Sequence, residues 1–304
     1  ANVTAEKAKD LERLGMVTSA IKMDENQDGR TDLVIAGEWM KIKILHNFAS
    51  GFSLKADSLS KLSRSGGWWY ALAADDLDQD GDLDLIGGNL GLNYKYKASK
   101  DKPFKVFGGD FDNNQIVDIV LSYAQKGTYY PLRGRECSSQ QLPSIKEKFP
   151  SYNSFATASV YEVIGHDQVE YAYQRNVHTF ANGIFLNQRD HYQQIPFANQ
   201  AQISSINAIL VEDVNGDGFS DLILAGNLYS AEVETPRNDA SYGHILINKQ
   251  DGTFDVLPST RAGFFGEGEI KSIQKIRIKG KKHTFLVAQN NGYLKLFQLN
   301  VPHL

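Results

Sequence analysis

The chain has 304 residues, 36 acidic against 32 basic for a formal net charge of −4, 41% hydrophobic residues and a single cysteine, Cys137. That length can build one large domain or about two ordinary ones, and one large domain is expected. One cysteine excludes an internal disulfide framework, the near-balanced charge gives no basic surface for nucleic acid, and no run of 18 apolar residues suggests a transmembrane segment.

No signal peptide is legible, and the opening phrase Asn2-Val-Thr-Ala-Glu6 reads as the tail of a repeat unit. The chain is therefore expected to be a piece of a longer polypeptide or a mature product. A nine-residue acidic loop then recurs: Asp24-Glu-Asn-Gln-Asp-Gly-Arg-Thr-Asp32, Asp76-Leu-Asp-Gln-Asp-Gly-Asp-Leu-Asp84, Asp110-Phe-Asp-Asn-Asn-Gln-Ile-Val-Asp118 and Asp213-Val-Asn-Gly-Asp-Gly-Phe-Ser-Asp221. Asp or Asn stands at positions 1, 3, 5 and 9 of every copy, so side-chain oxygens converge on one point. Three copies place Gly at position 6, where a tight turn needs a positive φ. The candidate ligands are Asp24, Asn26, Asp28 and Asp32; Asp76, Asp78, Asp80 and Asp84; Asp110, Asp112, Asn114 and Asp118; and Asp213, Asn215, Asp217 and Asp221. Hard oxygen donors in that number suit structural Ca²⁺.

An EF-hand would place Glu at position 12 and continue as a helix. Here position 12 is Ile35, Gly87, Leu121 or Leu224, and a short apolar β-rich run follows each loop. The bland alternative is an Asx-rich turn that caps a hairpin without metal. Loop three, with Asn114 and Gln115 in place of Asp and Gly, ranks last for metal.

Repeats of roughly 40 to 50 residues point to propeller blades, each a four-stranded sheet. The loops begin at 24, 76, 110 and 213, so the period is irregular and something is inserted after the third. Residues 138–171, with apolar positions near helical spacing between Pro143 and Gly165, predict an inserted helical pair. The strand pattern resumes at 183–187 and 191–195, a hairpin expected to complete the third blade. A degenerate fifth unit spans Ser272 to Phe297, with lysines at 279, 281 and 282 where carboxylates would be, and is expected to bind no metal. The expected fold is all-β, a propeller with five recognisable blades at about 16–62, 66–107, 108–198, 206–258 and 268–300.

The phrases Asp76 to Asn89 and Glu212 to Gly226 resemble FG-GAP, or VCBS, repeats. With Gly37-Glu-Trp39, Gly67-Trp-Trp69, Gly88 to Asn93, Tyr130-Pro-Leu132 and Lys146 to Pro150, the chain is similar to the C-terminal region of large secreted FG-GAP proteins of Bacteroidetes, often grouped with the cartilage acidic protein family. The resemblance covers about Gly15 to Leu299. It implies a β-propeller; a secreted, cell-surface or periplasmic location; calcium at the loop residues; and polysaccharide or surface-protein partners. It implies no reaction.

Segments that follow the post-loop strands are expected on one face around a central channel, and there Trp39, Asn93, Tyr123, Tyr229, Arg237 and Asp239 are the candidate ligand-binding residues. Planar rings beside amides suit sugars. The competing explanation is that Gly and Asn only form turns while Trp39, Trp68 and Trp69 pack between blades. The expected function is a calcium-stabilised binding module for glycan or protein partners. The alternatives are a lyase-type polysaccharide-active enzyme, for which Tyr129, Tyr130, Arg133, Arg135, His178, His191, Arg237 and Asp239 are raw material without a selecting motif, and a purely architectural segment.

Overall fold

The computed structural model describes residues 1–54, 61–231 and 235–299. Residues 55–60, 232–234 and 300, which the expected first, fourth and fifth blades include, lie outside the described residues. Where one domain is expected, contacts divide the chain into two compact units, one built from Ala1–Ser63, Trp68–Tyr94 and Phe180–Leu304, the other from Arg64–Gly67 and Lys95–Thr179.

In the first unit every sheet is antiparallel. Sheet one runs β1 (Met16–Met23), β2 (Asp32–Met40), β3 (Lys43–Phe48), β4 (Gly51–Leu54) in order, and the two-residue β5 (Gly67–Trp68) leads the chain toward β6. Sheet two holds β6 (Ala71–Asp75) and β7 (Asp84–Gly88), but its other two strands are β12 (Gly183–Asn187) and β13 (Tyr192–Pro196). This corrects the expected blade boundaries: the hairpin at 183–196 does not complete the third sheet, because Gly183, Ile184 and Phe185 pair with Gly87, Ile86 and Leu85. Sheet four is β14 (Ile206–Glu212), β15 (Asp221–Gly226), β16 (His244–Asn248) and β17 (Phe254–Leu257), followed by α7 (Ser259–Ala262). Sheet five is β18 (Ile270–Lys275), β19 (Thr284–Gln289) and β20 (Lys295–Gln298).

The first strands β1, β6, β14 and β18 lie side by side in that order. The apolar runs that follow the loops explain the stacking, since alternate residues of a strand point to opposite faces. Leu85 of β7 joins Val34, Ala36 and Trp69 in one core, whereas its neighbour Ile86 joins Leu222 and Leu224 in the next. Ile223 and Ala225 then face Ile273, Phe285 and Val287 in a third. Both faces of sheets two and four are buried, so their central strands read as unbroken hydrophobic runs rather than alternating ones. Trp69 is fully buried against Phe185 at 5.5 Å between ring centroids, a core role.

The opening residues form not a blade tail but helix α1 (Thr4–Lys7) and a 3-10 turn at Lys9–Leu11. Asp10 there accepts the backbone N–H of Leu54 at 2.8 Å, which ties this segment to β4.

The second unit carries sheet three, ordered β10 (Thr128–Pro131), β9 (Asp118–Gln125), β8 (Phe104–Gly109), β11 (Tyr173–Val177). Five short helices stand where a helical pair is expected: α2 (Arg135–Gln141), α3 (Ile145–Lys148), α4 (Tyr152–Ala156), α5 (Val160–Ile164) and α6 (His166–Tyr171). Pro143, Pro150 and Gly165 interrupt the helical spacing, and capping boxes at Ser151 with Ser154 and at Ser159 with Glu162 restart it. The cross-strand pair Phe107 and Val120 presents one face of sheet three to Leu142, Ile145, Phe155, Val160 and Val163.

Candidate functional site

All four acidic loops fold alike. The carboxylate at position 1 accepts two backbone N–H groups from within its own loop: Asp24 from Asp28 and Gly29, Asp76 from Asp80 and Gly81, Asp110 from Asn114 and Gln115, Asp213 from Gly216 and Gly218. The position-9 aspartates Asp32, Asp84, Asp118 and Asp221 are buried, and each accepts the N–H of position 2, at 2.9 to 3.1 Å. Position 4 is left-handed throughout, at Gln27 (φ 57°), Gln79 (φ 60°), Asn113 (φ 60°) and Gly216 (φ 79°).

Two devices here escaped sequence reasoning. In sheets one, two and four the second oxygen of the position-9 aspartate accepts the N–H of an asparagine on the third strand, Asn47, Asn187 or Asn248, and that asparagine's amide donates to the position-8 carbonyl of Thr31, Leu83 or Ser220. In sheets two and four the signal was present as an apolar residue, Asn and then a turn, whereas in sheet one His46 precedes Asn47. Further, the position-4 glutamines link consecutive loops: Gln27 donates to the Gly81 carbonyl and Gln79 to the Gly218 carbonyl, each at 2.9 Å.

Among the described residues, three carboxylates come within 4.8 Å of one another at Asp76, Asp78 and Asp84 and at Asp110, Asp112 and Asp118. Position 3 is Asp in loops two and three and Asn, an amide rather than a carboxylate, in loops one and four; in loop one the Arg30 guanidinium also pairs with Asp28 at 2.9 Å. Loop three tolerates its substitutions because Gln115 adopts φ 68° and Asn114 still accepts the Ile116 N–H at 2.7 Å. Burial, with the charges of Asp78 and Asp80 added, raises the Asp84 carboxyl to about 7 against the lowering effect of the Asn187 and Leu77 N–H groups. Burial likewise raises Asp78, Asp118 and Asp221. Carboxylates that raise one another in this way are a poor arrangement alone and a good one around a divalent cation, and the donor set fits Ca²⁺.

At the far ends of the second strands, the segments of sheets one, two, four and five meet in sequence. The Gly37 carbonyl accepts the Trp69 N–H, and Trp39 contacts Trp68 edge-on at 5.2 Å. The Asn89 carbonyl accepts the Ile206 N–H, the N–H groups of Leu92 and Asn93 donate to the Gln202 carbonyl, and the Asn93 amide donates to the Ile203 carbonyl. Asn227 donates to the Gly268 carbonyl. Close approach makes glycine obligatory here, since a Cβ on Gly37 or Gly226 would sit 1.9 Å from a backbone oxygen.

On this rim Arg237 lies over the Tyr229 ring at 4.6 Å and pairs with Asp239 at 3.3 Å, so these three candidates stand together. Tyr123 does not follow a post-loop strand: β9 runs on through it, it pairs across the ladder with Tyr130, and it belongs to the second unit, so it is removed from the expected set. Sequence reasoning missed Tyr70, Glu269 and Lys271. The Tyr70 hydroxyl donates to Glu38, whose carboxyl burial raises while Tyr70 and the Lys271 charge lower it. Burial and the Glu38 charge push the Tyr70 hydroxyl far up. Glu269 accepts from Lys271 and from the Asn290 amide, both at 2.9 Å; burial pushes its carboxyl up, and these bonds, the Lys271 charge and the Tyr229 backbone together hold it below the usual value. Of the groups collected for a lyase, His191 pairs with Asp190 on an exposed turn, and Arg135 is held by Glu136 and the Phe149 carbonyl.

Comparison with known proteins agrees with the repeat geometry over part of the chain: residues 24–87, from the first loop through β7, match the FG-GAP-like repeat family. The protein is thus β-rich with an FG-GAP-like repeat segment. No curated protein matches it. Among solved structures, an Agrocybe aegerita lectin described as recognising non-reducing terminal N-acetylglucosamine aligns at 15% identity over 93% of this chain and 81% of that one, with a TM-score of 0.20, a likeness too loose to bear on fold or ligand. No helix among the described residues is long and apolar enough to cross a membrane.

Proposed function

We propose that the chain is a calcium-stabilised β-propeller module, displayed outside the cytoplasm, that binds glycan partners at the rim formed by the ends of its second strands. The observation that carries this reading is the rim itself, where equivalent segments of four sheets are bonded one to the next and bring Trp39, Asn93, Tyr229, Arg237, Asp239, Glu38 and Tyr70 onto consecutive sheets. Repeat units alone bury only one face each, so their stacking makes a shared end whose loops are free to vary. Rings with an apolar face next to amides and carboxylates provide the stacking and the hydrogen bonds that a pyranose needs.

The acidic loops belong to the opposite end of the same hairpins, which separates their role from ligand contact. Calcium there neutralises carboxylates whose mutual repulsion and burial oppose folding. Because the sites form only in the folded hairpins, binding stabilises by mass action, about 2.7 kcal/mol per site at a hundredfold excess over the dissociation constant.

The test has two arms. Purified protein, with metal content measured by elemental analysis, is melted with and without EDTA; chelation should lower the melting temperature of calcium-loaded protein, and an unchanged curve refutes the calcium role. The same protein is screened on an array of immobilised neutral and acidic glycans. Alanine at Trp39 and Tyr229 should weaken any glycan bound while leaving the calcium-dependent melting transition in place.

A further inference from the structure

Position 4 of the acidic loops asks for glycine. Its φ is positive in all four, where a side chain is strained, yet only loop four relieves that strain, with Gly216. Loops one and two carry glutamine instead, and both glutamines make the same bond. The Gln27 amide donates to the Gly81 carbonyl of loop two at 2.9 Å and to Asp82 Oδ1 at 2.7 Å. The Gln79 amide donates to the Gly218 carbonyl of loop four at 2.9 Å. The receiving residue is position 6 each time.

Position 6 is also where each loop closes. The N–H of Gly81 donates to Asp76 and that of Gly218 to Asp213, both at 3.0 Å, so one residue joins the first carboxylate of its own loop to the glutamine of another loop. At the sending end, Gln27 and Gln79 stand between the candidate ligands of positions 3 and 5, and the N–H of the next residue, Asp28 or Asp80, donates to the position-1 carboxylate at 3.1 Å. Holding one loop closed therefore fixes its glutamine, and the glutamine fixes the closing residue of the loop it reaches. Gly216 offers no side chain, so the line ends at loop four. Loop three lies in the second unit and has the shorter Asn113 at position 4.

We propose that loops one, two and four bind calcium as a coupled set, with Gln27 and Gln79 carrying the coupling, while loop three fills independently. The proposal rests on the calcium reading of the loops and specifies how they fill. Ordering one loop lowers the ordering cost left for the loop its glutamine holds, and by linkage the effect is reciprocal. The net worth of one neutral hydrogen bond corresponds to roughly 2- to 12-fold in a binding constant.

The experiment uses the full chain carrying isotope-labelled glycine, stripped with EDTA, dialysed and titrated with calcium chloride. The NMR amide signals of Gly29, Gly81 and Gly218 report loops one, two and four, and Gly109, which precedes Asp110, reports loop three. In wild type the first three should share one steep midpoint, and Gly109 should follow its own. Both glutamines are exposed, and alanine keeps the strain at position 4, so the variants leave the core and the loop backbone comparable. Gln27→Ala should separate the Gly29 midpoint from that of Gly81 and Gly218 by about fivefold, and Gln79→Ala should separate Gly218 from Gly29 and Gly81 by a similar factor. Asn113→Ala should leave the three together. Midpoints that stay together in both glutamine variants, or that are already separate in wild type, overturn the coupling and leave the calcium reading standing. A parallel shift of all three shows a structural role for the glutamines and also overturns it. Absence of any calcium-dependent change at the loops overturns both readings.

Discussion

Replacing Asn248 with alanine tests whether the third-strand asparagines are what fixes the acidic loops to their sheets. Asn248 is 3% exposed. Its amide donates to the Leu77 carbonyl at 2.8 Å and the Ser220 carbonyl at 3.2 Å, and its Oδ1 accepts the Gln250 N–H at 2.9 Å. Three side-chain bonds at about 1 kcal/mol each give a loss of about 3 kcal/mol, before any cost of the small void left behind. For a unit of this size that lowers the melting temperature by roughly 6 to 12 °C. Because Leu77 lies in loop two of the neighbouring sheet, the loss reports on the bond between sheets as well as within one. The same substitution at Asn187, whose amide reaches Leu83 only at 3.4 Å, should cost less, and at the half-exposed Asn47 less again. Urea unfolding followed by fluorescence of the buried Trp69 measures each difference. A loss below about 0.5 kcal/mol at Asn248, well under the net worth of a single bond, refutes the reasoning. So does a ranking in which Asn47→Ala is the most damaging.

Two other outcomes follow from local geometry. Gln115 holds φ 68° where the other loops use glycine, and a left-handed residue with a Cβ costs about 1 kcal/mol; Gln115→Gly should therefore stabilise by that order in thermal melting, and destabilisation would show that the side chain is needed. His244 is largely buried beside Ser241, and burial lowers its folded-state value to about 4 from 6.5, so the folded protein takes up this proton later than the unfolded chain does. Stability from this group is complete above pH 6.5 and lost as pH falls toward 4, by at most about 3 kcal/mol. Relative to His244→Gln, wild type should lose stability over that window, and parallel profiles would exclude the mechanism.

The parts of this fold that were legible in the sequence are those encoded within a dozen residues. A loop with oxygens at positions 1, 3, 5 and 9 followed by an apolar run predicts a hairpin, and all four such hairpins are present, β1 with β2, β6 with β7, β8 with β9 and β14 with β15. Loop three keeps the shared shape despite its substitutions: Gln115 lacks the freedom of glycine yet adopts its conformation, and the carboxylate at position 3, which loops two and three share, completes a group of three carboxylates. Tyr70 and Lys271 were invisible in the sequence. Tyr70 takes its partner Glu38 from the neighbouring sheet and Lys271 sits at a register shift opposite β19, and pairing is a property of two segments.

What completes each sheet is the least local feature, and it is where the expected boundaries were wrong. After β7 the chain departs at Lys95, builds all of the second unit but Arg64–Gly67 and returns at Phe180 to supply the other two strands of sheet two. Loop-closure cost grows only slowly with length, so an insertion of this size weighs little against restoring a paired β7. Yet the destination of the hairpin was written in it. Asn187-Gln-Arg-Asp190 repeats the pattern of Asn248-Lys-Gln-Asp251, in which the third-strand asparagine serves a buried loop aspartate and its side-chain oxygen accepts the N–H of a left-handed residue, Arg189 or Gln250. Sheet three has no counterpart. Its β10 pairs only as far as Ser122, and the edge of β9 beside Asp118 is held instead by Gln141 of α2, which both donates to and accepts from the Ile119 backbone. The asparagine thus marks which hairpin serves which loop, and a helix takes its place where the sheet stands in a unit of its own.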